Sequence, residues 1–345
     1  MKKYSKKISV IICAYLRKEF IREAIESVLN QTLNKNLYEI IVVKNFKDKD
    51  IDKFISKNKI KNIYLDPKKA GYYGVKMAEG VKKANGEIIC FLEDDDKFLP
   101  NKLEVVYKVF QNKNVGFYHN SYYILYKDKI NKNVLNNMGG NFIVNPKKIE
   151  KQAIKNLMFS PSYFNTSLMS VRKSILDPNL LIKISPAADR DLWVLSLNSN
   201  MISIFDKIPL DLYRIHNSTF TPTIHLKNYS TFVNFIKSRA KLTIDTNGIF
   251  YVYKAIKIKW LKKVAFYHMN IFKLDSITFL KSKKLEYLKI SFNLFILLIE
   301  LGFFRKAIKR LLICFLFWLN PEYIRKEIYK SYVSEAVSNN YLINR

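Results

Sequence analysis

A short apolar run leads directly into four acidic residues at positions 88–96, and this stretch constrains the fold more than any other. The run Ile88 to Leu92 is bounded by Asn85-Gly86 and by Pro100, which is typical of a strand buried on both faces of a parallel sheet. The acids follow at the carboxyl end of that strand, where open α/β sheets bind their ligands. The sequence therefore predicts an α/β fold with carboxylates at one edge of the sheet.

The acids themselves are Glu93, Asp94, Asp95 and Asp96. Four adjacent carboxylates repel one another, so ionising all of them without a counter-charge is costly. A hard cation with oxygen ligands, Mg²⁺ or Mn²⁺, relieves that repulsion. The alternative is a solvated acidic turn that caps a helix starting near Pro100. Because the acids leave a buried strand, the sequence favours the metal site.

Strands and helices alternate through the first hundred residues, which predicts a right-handed parallel α/β unit. Apolar residues at helical spacing predict a helix over 20–30, and Pro100 suits the first turn of another. Residues 71–84 are predicted to form a loop that leads into a helix. Besides the run at 88–92, buried strands are predicted at 8–12, 38–43 and 62–65.

The chain is strongly basic, with 59 Lys and Arg against 29 Asp and Glu and a formal net charge of +30. Such a field attracts phosphate-bearing partners, namely nucleotides, nucleic acid or an anionic membrane surface. The alternative is a lysine-rich composition on a solvated surface. The sequence has no helix-turn-helix, RNP or zinc signature, so nucleic acid is not the expected partner.

The cysteines and the N-terminus bear on the compartment. Cys13, Cys90 and Cys314 are far apart in apolar runs, which favours buried thiols in a reducing compartment over disulfides or a metal site. The first apolar run is short, is followed by Arg17-Lys18-Glu19 and has no small-residue cleavage pattern. It is therefore interpreted as a first strand, and the protein is expected in the cytoplasm.

Several segments resemble a family 2 glycosyltransferase with the GT-A fold. They are Ile8-Ser9-Val10-Ile11-Ile12-Cys13-Ala14-Tyr15, Ala24 to Thr32, Asn85-Gly86-Glu87-Ile88-Ile89, and Lys97 to Leu103. The resemblance is strong over residues 8–110, weaker to about residue 220 and poor beyond. It implies a Rossmann-like, mostly parallel sheet flanked by helices, followed by a C-terminal helical extension.

The resemblance also implies a site for a nucleotide-sugar donor. In this family the acidic cluster is a DxD-type motif, which holds a divalent cation, Mn²⁺ or Mg²⁺, on the donor's diphosphate. Asp95 matches the metal carboxylate, and Asp96 and His216 are the further candidate ligands; a lone histidine such as His216 is otherwise structural. The residues expected to contact the nucleotide sugar are Ala14, Tyr15, Arg17, Asn45, Gly71, Lys76, Glu93, Asp94 and Asp96.

One departure from the family concerns the nucleotide's base. Members usually carry acids just after the second strand, where this chain has Lys44-Asn45. Asn45 can hydrogen-bond a base, whereas an ammonium group cannot accept a hydrogen bond. Lys76 lies where the family tends to carry a basic residue near the phosphates, and its alternative is a solvated helix residue. The identity of the nucleobase is therefore left open.

The segment Ala188 to Trp193 resembles the family's ED motif followed by an apolar helix, with Ala188 in place of the usual Glu. The retained acid, Asp189, is then the expected catalytic base, which takes the proton of the attacking hydroxyl. Asp189 could equally be the N-cap of the helix, since Asp before an apolar run is a common start signal. Asp191 is expected to be a first-turn acid or a contact to the acceptor.

Beyond about residue 225 the pattern changes to basic, aromatic-rich helices. Apolar helices are predicted at 285–301 and 303–319 around Gly302, with Pro321 ending the second, and neither is a good transmembrane span. They form either a hairpin packed on the catalytic domain or an amphipathic surface on lipid. The basic residues and the Phe315, Phe317 and Trp318 cluster favour peripheral contact with a membrane.

The sequence thus predicts a catalytic domain at 1–225 and a helical extension at 226–345. The predicted activity is metal-dependent, inverting transfer of a sugar from a nucleotide-diphospho-sugar to a glycan or lipid-linked acceptor. A nucleotidyltransferase is the first alternative, but it requires a Gly-rich phosphate loop, where this chain has Cys13-Ala14-Tyr15-Leu16-Arg17. A non-enzymatic basic binding protein would explain the charge but not acids placed after a buried strand.

Overall fold

A computed structural model describes residues 6–15, 18–68, 73–132, 141–160, 164–184, 188–216, 228–244, 253–279 and 284–338. The chain divides into two compact units. The first comprises residues 1–215 with 248–261, and the second comprises residues 216–247 with 262–345. The domain boundary predicted at residue 225 falls in the segment 217–227, which lies outside the described residues.

The N-terminal half of the first unit is a parallel sheet, as predicted. Its strands lie in the order β3-β2-β1-β4 and pair in parallel. Every residue of β1 is buried, and β4 is buried up to its last residue, so continuous apolar runs predicted these two strands correctly. The bounds are β1 Ile8–Ala14, β2 Tyr38–Lys44, β3 Lys61–Tyr64 and β4 Ile88–Glu93.

Helices connect these strands. The apolar stripe of the first helix, Ile21, Ala24, Ile25 and Val28, is buried against the sheet's core. One boundary differs from the prediction: the helix after the acids begins at Lys102, because the Pro100 carbonyl accepts a hydrogen bond from Thr32 N at 2.9 Å instead. The bounds are α1 Ile21–Leu29, α2 Lys49–Lys57, α3 Tyr73–Lys83 and α4 Lys102–Val109.

The sheet continues with strands that the sequence pattern did not reveal. From β4 the order is β4-β9-β6-β10-β5, with β9 antiparallel to both of its neighbours and β10 parallel to β6. β5 follows β4 after three residues yet pairs with β10, so the sheet curls and brings β10 to the acids. The bounds are β5 Lys97–Phe98, β6 Val115–Tyr126, β7 Lys129–Asn131, β8 Phe142–Val144, β9 Met169–Arg172 and β10 Ile202–Ile215.

Three further helices belong to the described part of this unit, with bounds α5 Lys151–Phe159, α6 Pro178–Leu181 and α7 Ala188–Leu197. Gly74 lies in the segment 71–84, which was predicted to be a loop that leads into a helix. The structure places it in α3, where a Cβ atom would come within 2.2 Å of the Leu181 carbonyl oxygen. Glycine is therefore required there, because the backbone of α3 lies directly against the Leu181 carbonyl at the end of α6.

The C-terminal part of the chain is helical, as predicted. Gly302 has φ 72°, and the bonds Gly302 N to Ile299 O and Phe303 N to Leu298 O form a Schellman motif that ends the helix before it. Pro321 was predicted to end a helix. It also begins the next helix, at the first helical position, where its missing N–H costs nothing. The bounds are α8 Tyr229–Ile244, α9 Lys259–Thr278, α10 Lys284–Glu300, α11 Phe304–Leu319 and α12 Pro321–Ser338.

The second unit has a core of its own. The Tyr287 ring of α10 stacks on the Phe317 ring of α11 with centroids 3.8 Å apart, and this pair joins the buried cluster of the helices. Within the described residues, the structure has no helix with the length and apolar character needed to cross a bilayer. The buried members of the cluster are Leu274, Ile277, Tyr287, Ile290, Leu294, Leu297, Phe317 and Ile324.

Candidate functional site

The acidic residues form a tight carboxylate cluster at the carboxyl end of β4. Glu93 is the last residue of the strand, and Asp94, Asp95 and Asp96 form the turn to β5. Among the residues that the structure describes, Glu93, Asp95 and Asp96 each offer a carboxylate oxygen, and these oxygens lie within 4.8 Å of one another. The aspartates are buried and Glu93 is half-buried.

Burial and mutual repulsion dominate the electrostatics of this carboxylate cluster. Burial, followed by the charges of Asp95 and Asp96, raises the pKa of Glu93 well above its usual value. Burial and then Asp95 raise the pKa of Asp96 to about 7. Since hard divalent cations prefer carboxylate oxygens, the residues fit Mg²⁺ or Mn²⁺, which would restore the ionised state of both groups.

Asp96 is held by hydrogen bonds from three directions. Asn165 Nδ2 and Ser167 Oγ each donate to its Oδ2 at 2.7 Å, and the Arg214 backbone N–H donates to its Oδ1 at 3.0 Å. These bonds use most of the lone pairs of the carboxylate. Asp96 therefore fixes the turn as well as contributing charge to the cluster.

Asn165 supports the cluster from an unfavourable backbone conformation. Its φ is 58° with ψ 123°, in a region that residues other than glycine rarely adopt. Its Oδ1 accepts from Ser167 N at 2.6 Å and so starts the short 3-10 turn Thr166–Leu168. In that turn Thr166 Oγ1 donates to Glu93 Oε1 at 2.7 Å, so one segment contacts two acids of the cluster.

Arg214 of β10 connects the turn to α1. Its Nε donates to the Asp95 carbonyl at 2.9 Å, and its Nη2 donates to Glu23 Oε2 at 2.7 Å. Its guanidinium also lies 4.4 Å from the centre of the Phe20 ring. The side chain is buried, so this fork of donors fixes the backbone of the acidic turn.

A buried ion pair lies behind the cluster. The Lys102 ammonium donates to both oxygens of Asp211, at 2.7 and 2.9 Å, and to the Ser167 carbonyl at 2.5 Å. Asn120 Nδ2 donates to the same carboxylate at 2.6 Å. Burial raises the pKa of Asp211 to about 6, although Lys102 opposes the shift. Because Ser167 contacts Asp96, the ion pair supports the cluster through one residue.

Three predicted donor-binding residues lie together beside the turn. Ala14 ends β1, and the Tyr15 backbone N–H that follows donates to Asp94 Oδ2 at 3.0 Å. The Lys76 ammonium lies 4.8 Å from the centre of the half-exposed Tyr15 ring. Burial lowers the pKa of Lys76, and the charge of Asp94 opposes the shift. Arg17 and Gly71, also predicted here, lie outside the described residues.

Lys44 is the last residue of β2 and Asn45 follows it, at the point where the family usually has acids. Both residues are buried. The Lys44 ammonium donates to the Phe46 carbonyl at 2.6 Å and pairs with Asp52 Oδ1 at 2.8 Å. Lys44 therefore stabilises the loop before α2, and Asn45 stays the predicted contact to a base.

The predicted base lies in the first turn of α7. The helix begins at Ala188, so Asp189 is its second residue, and Asp189 Oδ1 accepts from Arg190 N at 2.8 Å. The Asp189 charge contributes to the raised pKa of Glu93 after burial, Asp95 and Asp96, so the carboxylate lies near the cluster. Asp191 is buried, and its Oδ1 accepts from Arg190 Nη2 at 3.2 Å.

His216 follows β10 and belongs to the second unit. It is absent from the carboxylate cluster found among the described side chains, and its part as a metal ligand stays a prediction. The residues that the sequence did not single out are Asn165, Thr166, Ser167, Arg214, Lys102 and Asp211. The signal for the first three is a polar triplet that directly precedes the apolar residues of a strand.

Comparisons with known proteins bear on the same region. The family described as Glycosyl transferase family 2 matches residues 9–178. An uncharacterized glycosyltransferase of Rickettsia bellii is 40% identical over 119 residues, which are 34% of this chain and 17% of that protein. The poly(ribitol-phosphate) beta-glucosyltransferase of Bacillus spizizenii is 34% identical over 97 residues, which are 26% of this chain and 15% of that protein. The chain thus spans less than a fifth of either relative.

Solved structures match over most of the chain. The crystal structure of S. aureus TarS 1–349 superposes with a TM-score of 0.55 at 14% identity, covering 97% of this chain and 92% of that one. The same protein in complex with UDP-GlcNAc gives a TM-score of 0.58 at 13% identity, with the same coverage. At such identities the likeness concerns the fold. Residues 9–178, which carry the carboxylate cluster and its supporting segment, are thus similar to glycosyl transferase family 2, and the chain has the GT-A fold.

Proposed function

We propose that this chain is a divalent-metal-dependent glycosyltransferase, which moves a sugar from a nucleotide-diphospho-sugar to an acceptor hydroxyl with inversion at the anomeric carbon. The observation that carries the proposal is the cluster of Glu93, Asp95 and Asp96 at the end of β4, with oxygens within 4.8 Å of one another. The match of residues 9–178 to the glycosyl transferase family 2 model supports the same reaction class.

The donor's diphosphate is the group that this cluster suits. Asp95, with Glu93 and Asp96, would hold Mn²⁺ or Mg²⁺, and the cation would stabilise the negative charge of the departing nucleoside diphosphate. Lys76 adds a positive charge beside Asp94 and Tyr15. TarS is solved with UDP-GlcNAc, so uridine-diphospho-sugars are the first donors to test.

Inversion requires one in-line displacement and one base. The acceptor oxygen forms a bond to the anomeric carbon as the bond from that carbon to the diphosphate breaks. The proton of the acceptor hydroxyl passes to the carboxylate of Asp189, and the electron pair leaves with the nucleoside diphosphate. Support for Asp189 comes from its half-buried position near Glu93.

We infer a glycan acceptor of the cell surface, either a polyprenyl-linked glycan or another glycan precursor. One relative, by its name, glucosylates a poly(ribitol-phosphate). A lipid-linked acceptor is held at the inner face of the cell membrane, so the proposal includes a cytoplasmic enzyme with peripheral membrane contact through the C-terminal helices.

The decisive experiment incubates the purified chain with a panel of nucleotide sugars in Mn²⁺ or Mg²⁺ and measures the nucleotide released, with and without acceptor extracts. We expect release from one donor class, and loss of release in excess chelator. Release from no donor would contradict the proposed reaction. Full activity in excess chelator would contradict its metal dependence.

The variant Asp95→Asn tests the cluster itself. Removal of one anionic ligand weakens the hold on the cation, so we expect transfer to fall about 100-fold or more and donor binding in Mn²⁺ to weaken. Glu104→Gln is the matched control, because Glu104 lies on the surface of α4 and pairs with Lys108. Equal rates in Asp95→Asn and Glu104→Gln would show that the cluster is not the metal site.

A further inference from the structure

One face of α11 is apolar and exposed. Its side chains recur three, four, seven and eight positions apart and so cover one side of the helix, nearly half its circumference. Away from this face, Ala307 and Phe317 are the buried residues of α11, and Phe317 belongs to the second unit's core. The members, each between 38% and 59% exposed, are Phe304, Ile308, Leu311, Leu312, Phe315, Leu316, Trp318 and Leu319; we call them the α11 face.

The neighbouring helix also exposes apolar side chains. On α10, Leu285, Phe292 and Ile296 are exposed and recur seven and four positions apart. Single exposed apolar residues are normal on soluble proteins, whereas contiguous apolar surface marks an interaction site. The α11 face is therefore expected to have a partner.

Charge indicates the nature of that partner. Arg305 and Lys309 are exposed and lie along one border of the α11 face, one turn apart on the same helix. The chain as a whole carries a formal charge of +30. A second copy of the chain would bring the same cations to the contact, so like charges oppose self-association through this face. A surface with an apolar interior and an anionic boundary matches both the apolar α11 face and its basic border.

The α11 face also contains three exposed aromatic side chains. Phe304 lies at the start of α11, and Phe315 and Trp318 lie in its last turns. Aromatic side chains, tryptophan above all, are favoured at the level of lipid headgroups. With an apolar face and a basic border, α11 has the composition of a helix that lies in the plane of a bilayer interface.

We propose that the α11 face docks on an anionic lipid surface, with its apolar side chains among the acyl chains and Arg305 and Lys309 against lipid phosphates. The inference rests on the proposed function in one respect: a lipid-linked acceptor is held at a membrane, which gives the enzyme a reason to bind there. The docking itself requires no donor, metal or acceptor.

The experiment sediments the full chain with phosphatidylglycerol/phosphatidylcholine vesicles and with pure phosphatidylcholine vesicles. We expect the partition coefficient to be at least tenfold higher on the anionic vesicles, because each basic residue near the surface contributes about fivefold. High salt should reduce binding without abolishing it, since apolar insertion is not screened. Trp318 emission should shift to the blue on binding, and this shift should be lost in Trp318→Phe.

Two variants and a control separate the apolar from the charged contribution. Leu312→Ser/Phe315→Ser removes two exposed apolar side chains, and we expect most binding to disappear. Arg305→Gln/Lys309→Gln should lower binding about 25-fold on anionic vesicles only, since each basic residue contributes about fivefold. Ile130→Ser/Ile143→Ser is the control, because it removes two exposed apolar side chains from β7 and β8 and should bind as the unmodified chain does.

The outcomes are distinct. Equal binding to both vesicle types, no binding, or binding that the α11 variants leave unchanged would overturn the inference. A concentration-dependent oligomer that Leu312→Ser/Phe315→Ser converts to monomer, without vesicle binding, would assign the face to a second copy. If Leu312→Ser/Phe315→Ser unfolds, the docking is tested instead by the vesicle binding of Arg305→Gln/Lys309→Gln and by the shift of Trp318 emission. Donor turnover without vesicle binding overturns the docking and the proposed membrane contact but leaves the proposed reaction intact. Vesicle binding without turnover on any donor overturns the proposed reaction but leaves the docking intact.

Discussion

The side-chain amide of Asn165 donates to Oδ2 of Asp96 across 2.7 Å, and the residue that provides this bond has φ 58°. The bond joins the segment before β9 to the acidic turn after β4. A strained backbone at this point persists only where its surroundings over-determine it, and such residues cluster at functional sites. Asn165 is therefore interpreted as a positioning residue for the carboxylate cluster.

Asn165→Gly and Asn165→Ala test this interpretation as a matched pair. Both remove the bond to Asp96, so we expect Mn²⁺ affinity and transfer to fall about 10- to 100-fold in each. Only alanine keeps the penalty of a Cβ at positive φ, so Asn165→Ala should be less stable than Asn165→Gly by about 1–2 kcal/mol. The measurements are Mn²⁺ binding and urea unfolding. Native Mn²⁺ affinity in both variants would contradict the positioning role.

The Lys102–Asp211 pair predicts a strong dependence of stability on one buried contact. Lys102→Met leaves the Asp211 carboxylate buried without its cation, so the free energy of unfolding should fall by about 3–5 kcal/mol. Lys102→Met/Asp211→Leu removes both charges and should recover most of that loss. Lys108→Met, which breaks a surface pair on the same helix, should cost less than about 1 kcal/mol.

Urea unfolding of the unmodified chain, Lys102→Met, Asp211→Leu and the double variant completes a double-mutant cycle for the pair. A double variant as unstable as Lys102→Met would mean that packing, rather than the unpaired carboxylate, determines the loss. In that case the contact between the Lys102 ammonium and the Phe98 ring, 4.0 Å apart, is the first alternative.

The sequence predicted the part of the fold that short apolar runs determine. β1 and β4 are buried on both faces, so their residues are continuously apolar and their bounds were nearly correct. The strand β6 was missed because His119, Asn120 and Ser121 interrupt its apolar pattern, although all three are buried. Such residues are compatible with a strand only when partners at other positions of the chain satisfy them.

The candidate site, like the fold, was predicted only in part. The acids are contiguous in sequence, so a local pattern was enough to predict the cluster. Their supports come from residues up to 119 positions away, as in the bond from Arg214 Nε to the Asp95 carbonyl. Hydrogen bonds of this range depend on how the sheet curls, which periodicity does not determine.

His119 predicts a pH dependence of stability. Burial lowers the pKa of its ring to about 4, from an ordinary 6.5, although the bond to the Phe164 carbonyl opposes the shift. The unfolded chain then takes up a proton below pH 6.5 that the folded chain does not, so folded stability is lost as pH falls from 6.5 to 4. The contribution is about 3 kcal/mol at most.

His119→Gln keeps a donor for the Phe164 carbonyl but cannot bind the proton. We expect the stability difference between the unmodified chain and His119→Gln to be constant above pH 7 and to shrink as the pH falls towards 4. Urea unfolding at pH 7.5 and pH 4.5 measures it. A difference that is equal at both pH values would mean that His119 remains protonatable in the folded state.

Asp189 and its neighbour Asp191 distinguish a catalytic carboxylate from a structural one. Asp189 is half-buried near Glu93, whereas Asp191 is buried and pairs with Arg190. Asp189→Asn keeps the acceptor oxygen of the side chain but cannot take a proton, so we expect near-native stability and donor binding with turnover about 100- to 10,000-fold lower. Asp191→Asn weakens a buried pair, so its main effect should be a lower melting temperature.

The two variants are compared by melting temperature, donor affinity and single-turnover transfer in the same metal buffer. The pattern that supports the proposed base is loss of the chemical step in Asp189→Asn with unchanged donor affinity. If Asp189→Asn instead retains turnover and melts at a lower temperature, its role is to stabilise the first turn of α7. Loss of turnover in Asp191→Asn at native stability would then make Asp191 the next candidate, because Asp191 lies two residues after Asp189 in the first turn of α7.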